Sequence, residues 1–413
     1  MADRRKPGGG NPLLPILQAA CDAQATDLHL RVMQPPRITL DGRVQPLPGW
    51  EHDRLDPVDL PKMLFALLNA AQLEQFKRDR ELDTGVEVPG MARFRLNLFL
   101  SMGQVAAVLR VVQTTIRSLA SLGLPPVLQR IVLEPNGLIL VTGPTASGKS
   151  TTLAALVDHL NATTEGHIVA IEDPIEVVHP QKRCVISQRE VGKDTHGYAA
   201  AVRAALRQAP NVILIGEMRD RETIELALRA AETGHLVIGT LHTTDAVQTL
   251  QRVINVFPHH ERESVLVMLS QVLRCCLSQR LLRRVDGRGR VPVFDLLVQT
   301  GAVQDAIRKG ALDELYTLVD QGAYDGMVSA NQSLLEHFHS GTLDAATCLA
   351  AAPQRQAMAM ALRADLRTLR ETAEALASHG RPAPAPRAAA DAAAASGDYI
   401  KVIKMHKPGN PPR

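Results

Sequence analysis

A short glycine-rich segment carries the strongest chemical signal in the 413 residues of this sequence. Residues 143–150 read Gly-Pro-Thr-Ala-Ser-Gly-Lys-Ser and fit the phosphate-binding pattern Gly-x-x-x-x-Gly-Lys-Ser/Thr. Glycines free the backbone so that successive N–H groups converge on a phosphate, and the N-terminus of the following helix adds partial positive charge. In such a loop Lys149 reaches the β- and γ-phosphates, while the Ser150 hydroxyl coordinates Mg²⁺. The segment predicts a Mg-ATP site, and its nucleotide-binding candidates are Gly143, Pro144, Thr145, Ala146, Ser147, Gly148, Lys149, Ser150 and Thr151.

Acidic residues follow two apolar segments downstream of this loop. Three carboxylates lie within residues 172–176, and Glu217 ends the second segment in the arrangement of a Walker B motif, where aspartate is more usual. Ligands of open α/β sheets bind at the carboxyl ends of strands, so one of the three carboxylates could polarise an attacking water. Ser150 and Glu217 are the predicted metal residues, and Glu217 is expected to contact Mg²⁺ through a water.

Two histidines flank the strand predicted at 236–240. A histidine just past a strand can donate to a γ-phosphate or sense its loss, which makes His235 and His242 candidates, although a single histidine is more often structural. The sequence has 14 histidines, but none shows the spacing of a zinc site or a cysteine partner. A separate transition-metal centre is therefore not predicted.

The elements that must position these residues can be inferred from hydrophobic patterning. Apolar runs typical of buried parallel strands alternate with helical stretches, which predicts a doubly wound α/β sheet with helices on both faces. Upstream, alternating residues predict a small α+β domain. The predicted strands are 27–31, 37–40, 93–99, 104–112, 138–142, 168–171, 212–215 and 236–240; the predicted helices are 60–76 and 150–160, with largely helical stretches at 261–284 and 299–376.

These patterns divide the chain into five segments. They are a flexible leader (1–11), an N-terminal domain (12–113), a linker (114–126), a nucleotide-binding domain with C-terminal helices (127–370) and a disordered Ala/Pro-rich tail (371–413).

Composition excludes several classes of function. The net charge is only +3, and 1 Trp, 4 Tyr and 7 Phe leave little material for the stacking surface of a single-strand translocase, so no nucleic-acid partner is expected. Five cysteines without a Cys-x-x-Cys pair predict reduced thiols. No stretch approaches the roughly 20 apolar residues of a membrane span, so the protein is expected in the cytoplasm.

Four segments together resemble the motif boxes of the secretion-type ATPase superfamily. They are the phosphate loop (143–150), an Asp box (171–176), a Walker B box (216–220, with Glu222 and Thr223) and a His box (231–236 with 240–244). The residues in these boxes are similar to those of the PilT/PilU branch, the twitching-motility or retraction ATPases of type IV pilus systems. Residues 25–30 and 93–97 look like that family's PAS-like N-terminal domain, and the resemblance implies a RecA-like ATPase core.

The resemblance also implies residue roles and partners. Glu176 would be the catalytic glutamate, Glu217 the Walker B acid, and His235 and His242 the His-box residues. Family members work as hexamers in which N-domain arginines of one subunit complete the site of its neighbour. Candidates here are Arg93, Arg95 and Arg110. The implied partners are a homo-hexamer, an inner-membrane pilus platform protein and a related motor ATPase, with the ring peripheral at the inner membrane through such proteins.

Two departures from the family pattern bear on function. Ala146 occupies a position that is usually glycine, which is compatible with nucleotide binding if the residue has an ordinary φ. Residues 302–309 read Ala-Val-Gln-Asp-Ala-Ile-Arg-Lys, where retraction motors carry Ala-Ile-Arg-Asn-Leu-Ile-Arg-Glu. The sequence thus leaves two functions open: an independent retraction motor, or an accessory ring with weak ATPase activity that needs a second motor.

Overall fold

The computed structural model describes residues 11–40, 42–112 and 116–365. The predictions of a flexible leader and of an Ala/Pro-rich tail concern residues outside these ranges, apart from residue 11. The first two residues of the predicted linker are also outside them.

An antiparallel sheet forms the N-terminal part of the chain. Its strand order is β3-β2-β1-β6-β5-β4, and three helices accompany it. The elements are α1 (Leu14–Asp22), β1 (Asp27–Arg31), β2 (Arg37–Leu40), β3 (Arg43–Pro46), α2 (Asp59–Phe65), α3 (Ala70–Asp79), β4 (Glu81–Val88), β5 (Ala92–Ser101) and β6 (Gln104–Val112).

The two faces of this sheet differ because residues alternate along each strand. Phe94, Leu96 and Leu98 of β5 have no exposed surface and join the core with α1, α2 and α3. Arg93 and Arg95 alternate with them and lie on the opposite face. The apolar face therefore holds the domain together, and the polar face is left for contacts elsewhere.

A second sheet carries the phosphate loop. Its order is β13-β12-β7-β11-β10-β8-β9, and every neighbouring pair is parallel except β12 with β13. The strands are β7 (Gly137–Thr142), β8 (Gly166–Glu172), β9 (Cys184–Glu190), β10 (Val212–Ile215), β11 (Leu236–Leu241), β12 (Leu273–Arg283) and β13 (Arg290–Val298). The helices are α4 (Val127–Ile131), α5 (Lys149–Thr163), α6 (Tyr198–Ala205), α7 (Arg221–Glu232), α8 (Ala246–Asn255), α9 (Arg262–Val272), α10 (Gly301–Arg308), α11 (Glu314–Gln321), α12 (Ala330–His339) and α13 (Ala345–Ala351).

Helices cover both faces of this sheet. Every residue of β7, β10 and β11 is buried, which requires packing on either side. Helices α5, α6 and α7 each contact strands of the sheet. The predicted α/β class is confirmed, and the carboxyl ends of β7, β8, β10 and β11 share one edge.

The prediction of helix across 261–284 is wrong for its second half. Helix α9 ends at Val272, and the chain continues directly as β12, which pairs with β7 on one side and β13 on the other. The β12 sequence is rich in Leu, Cys and Arg and lacks β-branched residues, so its local preference is not that of a strand; tertiary pairing overrides it. Strands β3, β4, β9 and β13 were also not predicted from the sequence.

The single helix predicted at 60–76 is two helices. Helix α2 ends at Phe65, and α3 begins after Asn69, whose side chain accepts from the backbone N–H of Gln72 while the Gln72 side chain accepts from the Asn69 N–H. This reciprocal capping box starts a new helix.

None of the helices in the described part of the chain is both long and apolar enough to cross a bilayer. All five cysteines are free, and all but Cys21 are buried. Burial raises the pKa of the Cys275 thiol to about 12, so this group stays protonated.

Candidate active site

A cavity of about 180 Å³ opens where the strands of the parallel sheet end. The phosphate loop, the start of α5 and the segments after β8, β10 and β11 form its walls. Its lining includes Thr145, Ala146, Lys149, Ser150, Leu153, Ala154, Glu172, Asp173, Pro174, Glu176, Val177, His179, Tyr198, Leu214, Gly216, Glu217, Thr240 and His242. The sequence-predicted loop, acids and one histidine thus meet in one place.

The phosphate loop needs glycine at its two ends because Gln279 of β12 lies against it. A Cβ added at Gly143 (φ +143°) would clash with the backbone carbonyl oxygen of Gln279. A Cβ at Gly148 (φ +93°) would lie 2.7 Å from Nε2 of the Gln279 side chain. Thr152 of α5 donates to Oε1 of Gln279 at 2.7 Å, so this buried amide joins the loop, the helix and the neighbouring strand.

Ala146 does not have an ordinary φ. Its φ is +62°, in the left-handed region that costs an L-residue with a Cβ about 1–2 kcal/mol. The condition under which alanine would be equivalent to glycine here is therefore not met, and the loop holds this residue in a strained conformation at the cavity wall.

Lys149 lies across the loop that precedes it. Its Nζ donates to the carbonyl oxygens of Gly143 at 2.7 Å and Pro144 at 2.9 Å. Partial burial lowers the pKa of Lys149, while the charges of Glu217 and Glu176 act in the opposite direction. The ammonium is held at the mouth of the loop, where a phosphate would meet it.

Glu217 is held by two neighbouring side chains, Arg219 and His242. Nη2 of Arg219 donates to Oε2 at 2.7 Å, and Nε2 of His242 lies 3.1 Å from Oε1. Partial burial raises the pKa of Glu217, but the hydrogen bond from Arg219 and the charges of His242 and Arg219 outweigh it and hold the pKa below its usual value. The carboxylate is therefore ionised at neutral pH and oriented toward the cavity.

The acids after β8 differ in environment. Burial raises the pKa of Glu172 to about 7, even though Nε2 of Gln188 donates to its Oε1 at 2.9 Å. The Glu176 side chain is 46% exposed, and Nη1 of Arg95 lies 3.9 Å from its Oε1. The two carboxylates therefore suit different roles. Glu172 is partly buried and can keep a proton, which favours a structural role, whereas Glu176 is exposed enough to contact a water.

The three arginines proposed from the N-terminal domain share one face of the antiparallel sheet but not one role. Arg93 forms an ion pair with Glu190 of β9 at 2.7 Å. Arg95 pairs with Asp83 at 2.7 Å beside Glu176, within the same chain. Arg110 pairs with Asp27 at 2.8 Å, and its side chain is 61% exposed. Arg95 alone lies next to the catalytic candidate.

The structure separates the two histidines. His242 lines the cavity, whereas His235 precedes β11 at the amino edge of the sheet, where its Nδ1 lies 3.0 Å from the Ala230 carbonyl oxygen. The six residues of β11 place the two histidines roughly 20 Å apart, at about 3.3 Å per residue. His235 is not brought to this site.

Sequence reasoning assigned no role to three residues at the site: Tyr198, which lines the cavity, and Gln188 and Gln279, which contact residues of the site. Gln188 and Gln279 are polar residues inside strands, and that unusual position was the available signal. Tyr198 begins α6 behind the acids; burial, together with the charges of Asp173 and Glu217, raises its pKa. Nothing in the sequence marked this tyrosine.

The cavity offers few protein ligands for a metal ion. Among the described residues, no cluster of three or more His, Cys, Asp or Glu side chains could hold an ion by itself. Ser150 and Glu217 both line the cavity, and Mg²⁺ commonly takes one or two protein oxygens, with phosphates and waters completing its shell. The residues present suit a metal that arrives with a nucleotide.

The loop, the strand order and the acids define a P-loop protein with an α/β core. The family model described as "Type II/IV secretion system protein" matches residues 80–384, and the chain belongs to this family.

Three relatives show which members of this family the chain is similar to. The chain is 45% identical over 321 residues to the type IV pilus retraction ATPase PilT of Pseudomonas aeruginosa, covering 77% of this chain and 92% of that protein. It is 45% identical over 285 residues to a twitching motility protein of Neisseria gonorrhoeae (69% and 76% covered). It is 37% identical over 328 residues to the type IV pilus ATPase PilU of P. aeruginosa (79% and 85% covered). The predicted PilT/PilU resemblance is confirmed.

Solved structures agree with the fold. The pilus retraction motor PilT with bound ADP superposes with a TM-score of 0.78 at 41% identity, covering 83% of this chain and 97% of that one. The ATPase DotB of Legionella pneumophila gives a TM-score of 0.71 at 28% identity, covering 84% and 96%.

Proposed function

We propose that this chain is a Mg-ATP-hydrolysing motor that powers type IV pilus retraction and twitching motility. The observation that carries the proposal is the convergence of Lys149, Glu176 and Glu217 on one cavity at the carboxyl ends of the parallel strands. The names of its relatives, a retraction ATPase and a twitching motility protein, support the same activity.

Each group has a task that its surroundings suit. The loop N–H groups and Lys149 would hold the phosphates, and Ser150 and Glu217 would hold Mg²⁺, which would neutralise charge on the phosphates. Glu176 is exposed enough to reach a water and accepts its proton at the carboxylate. Arg95 lies close enough to Glu176 to orient it and to counter charge that develops beside it.

We further propose a homo-hexamer that works at the inner membrane through a platform protein. The 3.9 Å distance from Arg95 to Glu176 supports a role for Arg95 in the site of its own chain, and the exposure of Arg110 supports it as the candidate for completing a neighbour's site. The domain boundaries at 12–113 and 127–370 stay predictions.

The second candidate is an accessory, PilU-like ring, and helix α10 supplies the observation that favours it. Val303, Ala306 and Ile307 are buried, so the helix is anchored as a fold element. Lys309 is exposed and Gln304 is partly exposed, and these are two of the positions that differ from the retraction pattern. The differences at these two positions alter what this surface can contact, while the buried positions 303 and 306 stay apolar, with Val and Ala where the pattern has Ile and Leu.

Two measurements separate the candidates. The first is ATP turnover of the purified protein, alone and mixed with the related motor ATPase, with Lys149→Ala as the inactive reference. The second is twitching in a cell that lacks every related motor and expresses only this chain. Full restoration of twitching supports the independent motor and excludes the accessory ring. Turnover without twitching, restored by adding the second motor, supports the accessory ring. Turnover equal to that of Lys149→Ala would overturn the ATPase proposal.

A further inference from the structure

Four hydroxyl groups meet beneath the phosphate loop, and we call them the hydroxyl cluster: Thr142, Thr243, Thr249 and Ser278. Oγ1 of Thr142 lies 2.6 Å from Oγ of Ser278 and 3.3 Å from Oγ1 of Thr249. Oγ1 of Thr249 lies 2.7 Å from Oγ1 of Thr243. Thr142, Thr249 and Ser278 are buried, so the bonds are shielded from competing water.

The cluster joins β7, β12 and α8 to the loop that follows β11. Thr142 is the last residue of β7, directly before Gly143, and pairs in register with Ser278 of β12. Thr249 lies in α8, and Thr243 is adjacent to His242 in the loop before that helix. A hydrogen-bonded path therefore runs from the strand that presents the phosphate loop to the loop whose histidine contacts Glu217.

The direction of one bond follows from donor counting. The Thr249 hydroxyl donates to the Asp245 carbonyl oxygen at 2.7 Å, and a hydroxyl has only one proton to give. Thr243 must then be the donor to Thr249. The Asp245 carboxylate caps α8 separately by accepting from Gln248 N–H at 2.8 Å, so the start of the helix does not depend on the Thr249 hydroxyl. The Thr249 hydroxyl instead holds the 242–245 loop in place through its bonds to Thr243 and to the Asp245 carbonyl oxygen.

We propose that Thr249 is a positioning residue of the ATPase site: through Thr243 it holds His242 against Glu217 and keeps this loop in register with the phosphate loop. The inference rests on the proposed ATPase function. Without the Thr249 hydroxyl, the partly exposed Thr243 turns to solvent, and the His242–Glu217 contact loses its support. The phosphate loop can bind phosphate without the Thr249–Thr243 hydrogen bond. Loss of this bond should therefore slow turnover and leave the affinity for nucleotide unchanged.

The test compares Thr249→Val, which keeps shape and loses the hydroxyl, with Thr249→Ser, which keeps the hydroxyl. Ser270→Ala is the matched control, because Ser270 is buried in α9 and its hydroxyl donates to the Val267 carbonyl oxygen of the same helix, away from the cavity. We expect kcat of Thr249→Val to fall about tenfold or more with KM for ATP changed less than about twofold, an outcome typical of lost transition-state positioning. Thr249→Ser and Ser270→Ala should keep wild-type kcat.

Thr243→Val, at a partly exposed site, should reproduce the kcat loss and serves if Thr249→Val does not fold. Wild-type kcat in whichever of the two valine variants folds would overturn the positioning role while leaving the ATPase proposal intact. An equal fall in kcat for Ser270→Ala would also overturn it, because the effect would then be general destabilisation. Wild-type protein with no turnover above Lys149→Ala would instead overturn the proposed function itself.

Discussion

Arg93 of the antiparallel sheet donates from Nη2 to Oε2 of Glu190 in the parallel sheet at 2.7 Å, with the two side chains 16% and 5% exposed. The guanidinium reaches this position across Gly85, where an added Cβ would lie 2.7 Å from Arg93 Nη2. The pair connects the two sheets at the place where Arg95 approaches Glu176. It fixes the N-terminal domain over the acidic side of the cavity.

Breaking this pair on one side should be costly. Glu190→Ala leaves the buried guanidinium of Arg93 without its counter-charge, and the expected loss in free energy of unfolding is about 3 kcal/mol or more. Denaturant unfolding would measure it. The double variant Arg93→Leu with Glu190→Leu should lose much less, since no buried charge remains unpaired. Equal losses in the single and double variants would contradict the assigned ion pair.

The two central residues of the site should fail in different ways. Lys149→Ala removes charge from the phosphates and should abolish ATP binding, whereas Glu176→Gln should bind ATP and lose turnover by about a hundredfold or more. Calorimetry and steady-state kinetics measure the two effects. Lys182, a surface lysine paired with Asp158 at 2.6 Å, is the matched control, and Lys182→Ala should leave both unchanged. Undiminished ATP affinity in Lys149→Ala would refute the phosphate-loop assignment.

Ala146 offers a test of backbone strain. Because its φ is +62°, Ala146→Gly should relieve about 1 kcal/mol of strain, partly offset by the greater chain entropy of glycine when unfolded. The melting temperature should stay level or rise, and ATP affinity should not fall. Ala200→Gly, at an exposed helical position in α6, should lose about 1 kcal/mol. The same loss at both sites would show that Ala146 is not strained.

Glu172 should make stability depend on pH. Its pKa is raised to about 7 in the folded protein from 4.5, so the folded state binds more protons than the unfolded state between these values. The contribution is fully present below about pH 4.5 and is lost as the pH rises through 7. Unfolding measured from pH 5 to 8 should show a smaller fall for Glu172→Gln than for wild type. Glu232→Gln, at an exposed position, should leave the wild-type slope, and an unchanged slope in Glu172→Gln would contradict the shifted pKa.

Local signals in the sequence predicted the centre of the molecule well. Strands β1, β2, β6 and β10 occupy the residues expected from hydrophobic patterning, because alternating or continuous apolar runs follow directly from burial on one face or two. The phosphate loop, Glu176, Glu217 and His242 line one cavity because the carboxyl ends of parallel strands share an edge.

What the sequence did not reveal depends on long-range packing. Strand β12 has helix-compatible residues and becomes a strand only because β7 offers an edge to pair with. Arg93 meets Glu190 and Arg95 approaches Glu176 across the boundary between the two domains, and no local pattern encodes these approaches. The positive φ of Ala146 likewise comes from the shape of the loop around it, since alanine gives no local preference for that region.

The placement of β12 also sets where the chain can be shortened. A fragment ending at Val272 would still contain every motif box, but β7 would become an unpaired edge strand, exposing its N–H and C=O groups to other chains. Such a fragment would lack Gln279 beneath the phosphate loop and would invite strand-to-strand aggregation. A soluble minimal nucleotide-binding fragment must therefore extend at least to Val298, well past the last recognisable motif.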